Sequence, residues 1–400
     1  MRLEELLKKE GLSSSEISEL LYRINTEKQD DEKKIDMYNR AIQEASRLGI
    51  EELYKLYKEI GNYKLTEEEK KLLQGNITFY IKEQKNMTKA NIQQMLYFIS
   101  TERQEDEKKI DLYNTALFEA SKFGISFLHS IYKDIKNYNL SEEEKKLLQG
   151  NVTFYIGEQK DMSPEDVKEM LYFVNAERQD DEKKIDLFNK ALFEASKFGV
   201  PVLHSIYKDI KNYKLTEEEK KLLQGNVTFY IGEQKDMSPE DVKEMLYFVN
   251  AERQDDEKKI DLFNKALFEA SKFGVPVLHS IYKDIKNYKL TEEEKKLLQG
   301  NVTFYIGEQK DMTPEDLQQM LFFINTERQD DEKKIELYNK ALFEASKLGS
   351  EVLEKIKNEI GSYNLTDEEK VLLQRNVDFY ISEQQKNSTN TIESSAGRDR

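Results

Sequence analysis

Three histidines, His129, His204 and His279, are the only imidazoles in the 400-residue chain, and each stands 75 residues from the next. An imidazole is the commonest general base near neutral pH, but it needs a nucleophile or a second acid within hydrogen-bond reach. These three are separated by whole repeats, and Tyr54 and Glu354 hold the equivalent positions nearer the ends, so packing between repeats is the expectation. The acidic cluster Glu177, Asp180, Asp181 and Glu182 has the oxygens of a calcium or magnesium site, yet lacks the alternating Asp/Asn pattern and glycine of a calcium loop. Carboxylates at a helix start are accounted for by the helix dipole. The pairs Lys183–Lys184 and Lys220–Lys221 directly follow acids and read as a solvated face with charge pairs three or four residues apart. With no Gly-rich phosphate loop, no Ser/His/Asp set and no cysteine, the expectation is a non-enzymatic chain without metal or cofactor.

Asn189 and Asn226 lie among apolar residues and recur as Asn39, Asn114, Asn264 and Asn339 and as Asn76, Asn151, Asn301 and Asn376. A row of buried amides predicts a polar ladder, each member bonded to the backbone of a neighbouring helix; a row of ligand contacts is the sharper alternative. Asn151, Asn226 and Asn301 also open glycosylation sequons, but inside a predicted helix, which reads as coincidence. Aromatics such as Tyr172 and Phe229 suit base stacking only beside a positive groove, which the charge pattern does not supply, so they are assigned to core and interface.

These residues are positioned by a repeat. Residues 162–236 are followed by a perfect copy, 237–311, and looser copies occupy 12–86, 87–161 and 312–386, leaving 1–11 as an N-terminal helical extension and 387–400 as a disordered tail. Within 162–236 the sequence predicts four helices. Ser163 caps the first, with Pro164 at its first position, and Val167, Met170, Leu171 and Val174 follow at helical spacing to about Glu177. The second opens at Asp180–Glu182 and stops at Gly199; the third follows Pro201; the fourth starts at a capping box, Thr216 with Glu219, and runs to about Lys235. The motif Glu182-Lys183-Lys184-Ile185 returns as Glu219-Lys220-Lys221-Leu222, so each unit is a pair of helical hairpins. In size and helix order these hairpins resemble those of tetratricopeptide-like solenoids, which implies an all-α, tandem-repeat α-solenoid of five 75-residue units with four helices each.

The end units show which surfaces meet, because an end has no neighbour to cover it. Phe173 and Phe193 have Arg23 and Gln43 as their counterparts in the first unit, which assigns both to the face that presses on the preceding unit. His204 and Tyr207 become Glu354 and Lys357 in the last unit, and Gly225 and Thr228 become Arg375 and Asp378, which assigns them to the face that receives the following unit. On that reading Gly225→Leu loosens the array and Arg375→Leu does not; the change from Lys221 to Val371 has no explanation.

Charged residues make up 35% of the chain and apolar ones 38%, enough for a seam per unit but not a thick core. A formal charge of −16 spread over the units argues against nucleic acid and anionic membrane. No apolar run suits a spanning helix or a signal peptide, so membrane insertion is not expected, and the chain reads as cytoplasmic or secreted without a classical signal. The expected function is an acidic, cysteine-free scaffold, monomeric, that binds a partner protein or peptide along an extended surface, with no single binding residue assigned. The alternatives are a microbial repeat-containing adhesin, antigen or secreted effector acting on a host protein, and a structural protein that assembles end to end.

Overall fold

The computed structural model describes residues 2–28, 32–103, 108–178, 182–253, 257–328 and 332–396, with side chains described up to residue 386. Among the described residues there are twenty-one α-helices, a few short 3-10 turns and no strand, and the chain is an all-α repeat solenoid. It divides into two compact bodies, 1–194 and 195–400, and the division falls within the second helix of the third unit.

In the first body the short helix Leu3–Lys8 packs on Ser14–Glu27, which opens the first unit and is followed by Lys34–Leu48, Ile50–Ile60 and Glu67–Lys82. The second unit repeats the set as Lys89–Glu102, Lys109–Ser121, Ile125–Ile135 and Glu142–Gly157. In the second body the fourth unit is Pro239–Glu252, Lys259–Ala270, Val275–Asp284 and Glu292–Gly307, and the fifth is Pro314–Glu327, Lys334–Leu348, Ser350–Glu359 and Asp367–Ala396. In each of these four units the second helix lies against the first, third and fourth. Between units, the third helix lies against the first helix of the unit that follows, as Ile125–Ile135 does against Pro164–Glu177 and Val200–Ile210 against Pro239–Glu252.

Local sequence sets the helix ends. Ser163 accepts a hydrogen bond from the Asp166 amide and Thr216 one from the Glu219 amide, each completed in reverse as a capping box, so two otherwise orphaned donors are satisfied per helix start. Gly199, at φ +85°, ends the second helix in the left-handed region, and Val200 starts the third. The residue before each unit is also left-handed: Gly11 first, then Asn86, Asp161, Asp236 and Asp311 at φ of 49° to 55°. Short polar side chains tolerate that conformation where branched ones do not.

The seams between units were partly legible. Phe98, Phe173, Phe248 and Phe323 are fully buried against the preceding unit, with ring centroids 5.0 to 5.1 Å from Tyr57, Tyr132, Tyr207 and Tyr282 and planes nearly perpendicular. This edge-to-face geometry adds roughly 0.5–1.5 kcal/mol to area burial. The hydroxyls of those tyrosines accept from Arg103, Arg178, Arg253 and Arg328 of the following unit at 3.2 to 3.4 Å, contacts that repeat spacing does not reveal. Val200 and Val275 also donate their backbone N–H to Asp241 and Asp316 of the next unit, at 2.9 and 3.1 Å.

Several expectations are corrected. Phe193 and its counterparts do not enter a seam: they are about half exposed, and Phe118 and Phe268 meet Tyr155 and Tyr305 of their own units, at 6.5 and 6.4 Å, with Lys122 and Lys272 over their faces. Gly225 is not a close approach either; a Cβ at Gly75, Gly150, Gly225 or Gly300 would meet nothing within 4 Å. On the fourth helix the tight glycines are Gly157, Gly232 and Gly307, where a Cβ would lie 3.1 to 3.3 Å from Leu187, Leu262 and Leu337 of the next unit. Their replacement by Lys82 and Ser382 in the end units was the signal. The fourth helix ends at Gly232, not near Lys235. The start expected at Asp180 and Asp181 lies outside the described residues, and Lys184 is the first residue of that helix. The last helix runs to Ala396, beyond the expected tail boundary, because 387–396 holds no Gly or Pro to stop a helix that is already nucleated.

The contrast between seam and open surface is measurable by urea denaturation of the full chain. Phe248→Ala costs about 3–5 kcal/mol as a fully buried ring, whereas Phe268→Ala stays within about 1 kcal/mol. Among the glycines, Gly225→Ala stabilises by about 0.5–1 kcal/mol, as expected for an open helical site, while Gly232→Leu destabilises by about 1–3 kcal/mol through the clash with Leu262.

Candidate functional site

The residues with chemical potential are mostly spent on structure. His129 and His204 are buried in the seams, with Nδ1 2.6 and 2.5 Å from the carboxylates of Glu169 and Glu244 on the next unit. A carboxylate only accepts, so the ring nitrogen donates. Nδ1 of His279 instead lies 2.5 Å from the amide nitrogen of Gln319. Nε2 of all three rings has no hydrogen-bond partner. Glu177 lies 3.6 Å from Nε2 of His129, and Glu182 is exposed, while Asp180 and Asp181 are outside the described residues. No group of three or more potential metal ligands is found among the described residues.

The asparagine row is corrected in its partner. Nδ2 of Asn76, Asn151, Asn301 and Asn376 donates to Oδ1 of Asn39, Asn114, Asn264 and Asn339 at 2.7 to 2.8 Å, side chain to side chain between the fourth and second helices of one unit. The lysine at the start of the second helix also pairs across helices: Lys34, Lys109 and Lys259 lie 3.0 Å from the capping-box carboxylates Glu69, Glu144 and Glu294. Those carboxyls are held below the usual range by the backbone N–H of the cap residue and by the lysine. Lys220 with Glu217 is the local pair that the sequence predicts. Sequence reading passed over the buried carboxylates Glu44, Glu119, Glu194, Glu269 and Glu344, which accept from the backbone N–H at the start of their own unit.

What remains unspent is a groove between the first and third helices of a unit. In the fourth unit it encloses about 680 Å³ and is floored by Val242, Leu246, Ile281 and Tyr288. In the second unit it encloses about 580 Å³ over Leu96, Ile131 and Tyr138. The two linings overlap when one is moved along by two repeats: Tyr97 falls on Tyr247, Ser130 on Ser280, Asp134 on Asp284 and Asn137 on Asn287, while Gln93 falls on Lys243 and Ser100 on Asn250. Tyr172, like Tyr97 and Tyr247, is more than half exposed yet still borders the seam, its ring 5.8 Å from that of His129 in the preceding unit. Phe229 is 62% exposed on the fourth helix.

The groove carries hydrogen-bonding groups over an apolar floor. Asn250 accepts the Lys289 backbone N–H through Oδ1 at 2.8 Å, which leaves its two amide hydrogens available. The deep tyrosines Tyr138 and Tyr288 are held well above the usual phenol range, first by burial and then by Asp134 and Asp284, so they stay neutral. Aromatic rim, aliphatic floor and a few amides and hydroxyls suit an extended polypeptide, whose side chains fill pockets while its backbone pairs with side-chain amides. No helix among the described residues is long and apolar enough to cross a membrane. No protein-family model and no curated protein matches the chain.

Proposed function

We propose that the chain is a non-enzymatic repeat scaffold that holds extended segments of a partner protein in the grooves between the first and third helices of its units. The recurrence of one groove, with much of its lining repeated two units further along the chain, is the observation that carries this reading. Two like grooves offer similar local surfaces, and several weak contacts on one ligand raise avidity without any strong site.

The ends support a monomer. Arg23 lies 2.6 and 3.0 Å from Glu19 and Glu27 of its own helix, and Lys357 lies 2.6 Å from Asp378 of its own unit. Both termini of the array thus satisfy their charges internally, which disfavours end-to-end assembly, where the Phe and the aromatic seam residues would be retained.

The test is selection of linear peptides from a phage-displayed random library against the full chain, followed by affinity measurement on Ser130→Trp with Ser280→Trp. Both serines are exposed on the groove wall, so an indole there fills the groove at small cost in stability. The selected peptides lose at least about tenfold in affinity, or 1.4 kcal/mol. Binding unchanged by the double substitution overturns the groove assignment.

A further inference from the structure

The three histidine seams are built alike but face different groups, and the difference lies in one side chain of the following unit. Each ring is packed edge-on to a buried phenylalanine, at 5.2 Å from Phe173, Phe248 and Phe323 respectively. Each is also tilted against a half-exposed ring, Tyr172, Tyr247 or Phe322, at 5.8 Å. Opposite Nδ1 stand Glu169, Glu244 and Gln319, so only the seam into the last unit lacks a carboxylate there.

We propose that this single replacement makes the seam between the fourth and fifth units selectively acid-labile, so that a fall in pH loosens the fifth unit while the seams at His129 and His204 hold. An imidazolium formed at His129 or His204 meets a carboxylate at 2.5 to 2.6 Å, which offsets the cost of placing a charge in a buried site. An imidazolium formed at His279 meets the amide nitrogen of Gln319, a donor facing a donor. Turning the amide over would present a neutral oxygen, which accepts the proton but brings no charge to balance it.

The other charges around each ring do not reverse this contrast. At His279 they are Lys283 and Lys286 from its own helix and Glu327 from the next unit, the last 3.9 Å from Nε2 and itself bound to Lys286 at 3.4 Å. At His204 they are Glu244, with Lys208 over the Tyr247 ring and the Lys211–Glu252 pair at 3.1 Å. At His129 they are Glu169, Glu177 and Lys133, which sits over Tyr172.

Burial, and after it Lys283, holds His279 below its ordinary value of 6.5, against the pull of Glu327. For a basic group depressed in the folded state, the unfolded state binds the proton first. Stability is therefore whole above pH 6.5 and is lost as pH falls from there toward the folded value. An acid-triggered seam of this kind is a two-state element biased by one proton.

Amide hydrogen exchange of the full chain at pH 7.5 and 5.5, corrected for the intrinsic pH dependence, tests this directly. Helix Pro314–Glu327 gives its own peptide; Pro164–Glu177 and Pro239–Glu252 are identical in sequence, report together, and both belong to the carboxylate class. Protection of Pro314–Glu327 falls by several-fold to about tenfold at pH 5.5, since linkage permits about tenfold per pH unit between the two titrations, while the pooled helices hold. Gln319→Glu restores protection of the last helix at pH 5.5, and Glu169→Gln with Glu244→Gln confers the acid response on the pooled helices. Equal loss in all first helices, no loss in Pro314–Glu327, or an unaltered response in Gln319→Glu overturns the proposal. Peptide affinity of the groove is not part of the readout, so the outcome is independent of the binding role proposed above.

Discussion

The edge-on contact between a phenylalanine and the tyrosine of the unit before it is the constraint from which the array follows. Tyr57 with Phe98, Tyr132 with Phe173, Tyr207 with Phe248 and Tyr282 with Phe323 repeat one geometry, their centroids 5.0 to 5.1 Å apart and their planes inclined at 84° to 87°. A unit of this composition has one apolar face more than it can cover with its own helices. Each seam removes that face from water and, through the arginine–hydroxyl bond beside it, fixes the rotation of one unit against the next.

Inside a unit the second helix is the hub, tied to the fourth by an amide pair and a lysine–carboxylate pair, and to the start of the unit by a buried glutamate. The unit from 87 shows all three: Asn114 with Asn151, Lys109 with Glu144, and Glu119 with the Met87 N–H. Apolar contact alone would let these helices slide; directional bonds across them set the register. The left-handed residue before each unit then redirects the chain into the next first helix, a turn that Asp161, Asp236 and Asp311 make at some strain and Gly11 makes freely.

Seam and groove therefore draw on neighbouring positions of the same helices. On the first helix, Phe248 is buried in a seam while its neighbour Tyr247 borders both His204 of the preceding unit and a groove; on the third, Tyr282 is committed while Ser280 and Asp284 line open space. The histidines sit on the committed side, buried in the seams between units.

The period, the four helices and their caps could be read from the residues alone, because they rest on bonds within a few positions: Ser163, Thr216 and Gly199 act on neighbours in the chain. The end units also disclosed one true seam, since Arg23 for Phe and Lys357 for Tyr mark faces without a neighbour. The same reasoning misplaced Phe193 and Gly225, because a polar residue in an end unit marks either a missing neighbour or an ordinary open surface, and spacing cannot separate the two. It took the folded arrangement to establish that Gly232 meets Leu262, that the asparagines bond each other, and that the groove has a tyrosine rim. Those facts depend on the angle at which helices distant in the chain cross, and that angle follows from how side-chain ridges of one helix settle into grooves of another, which no local pattern encodes.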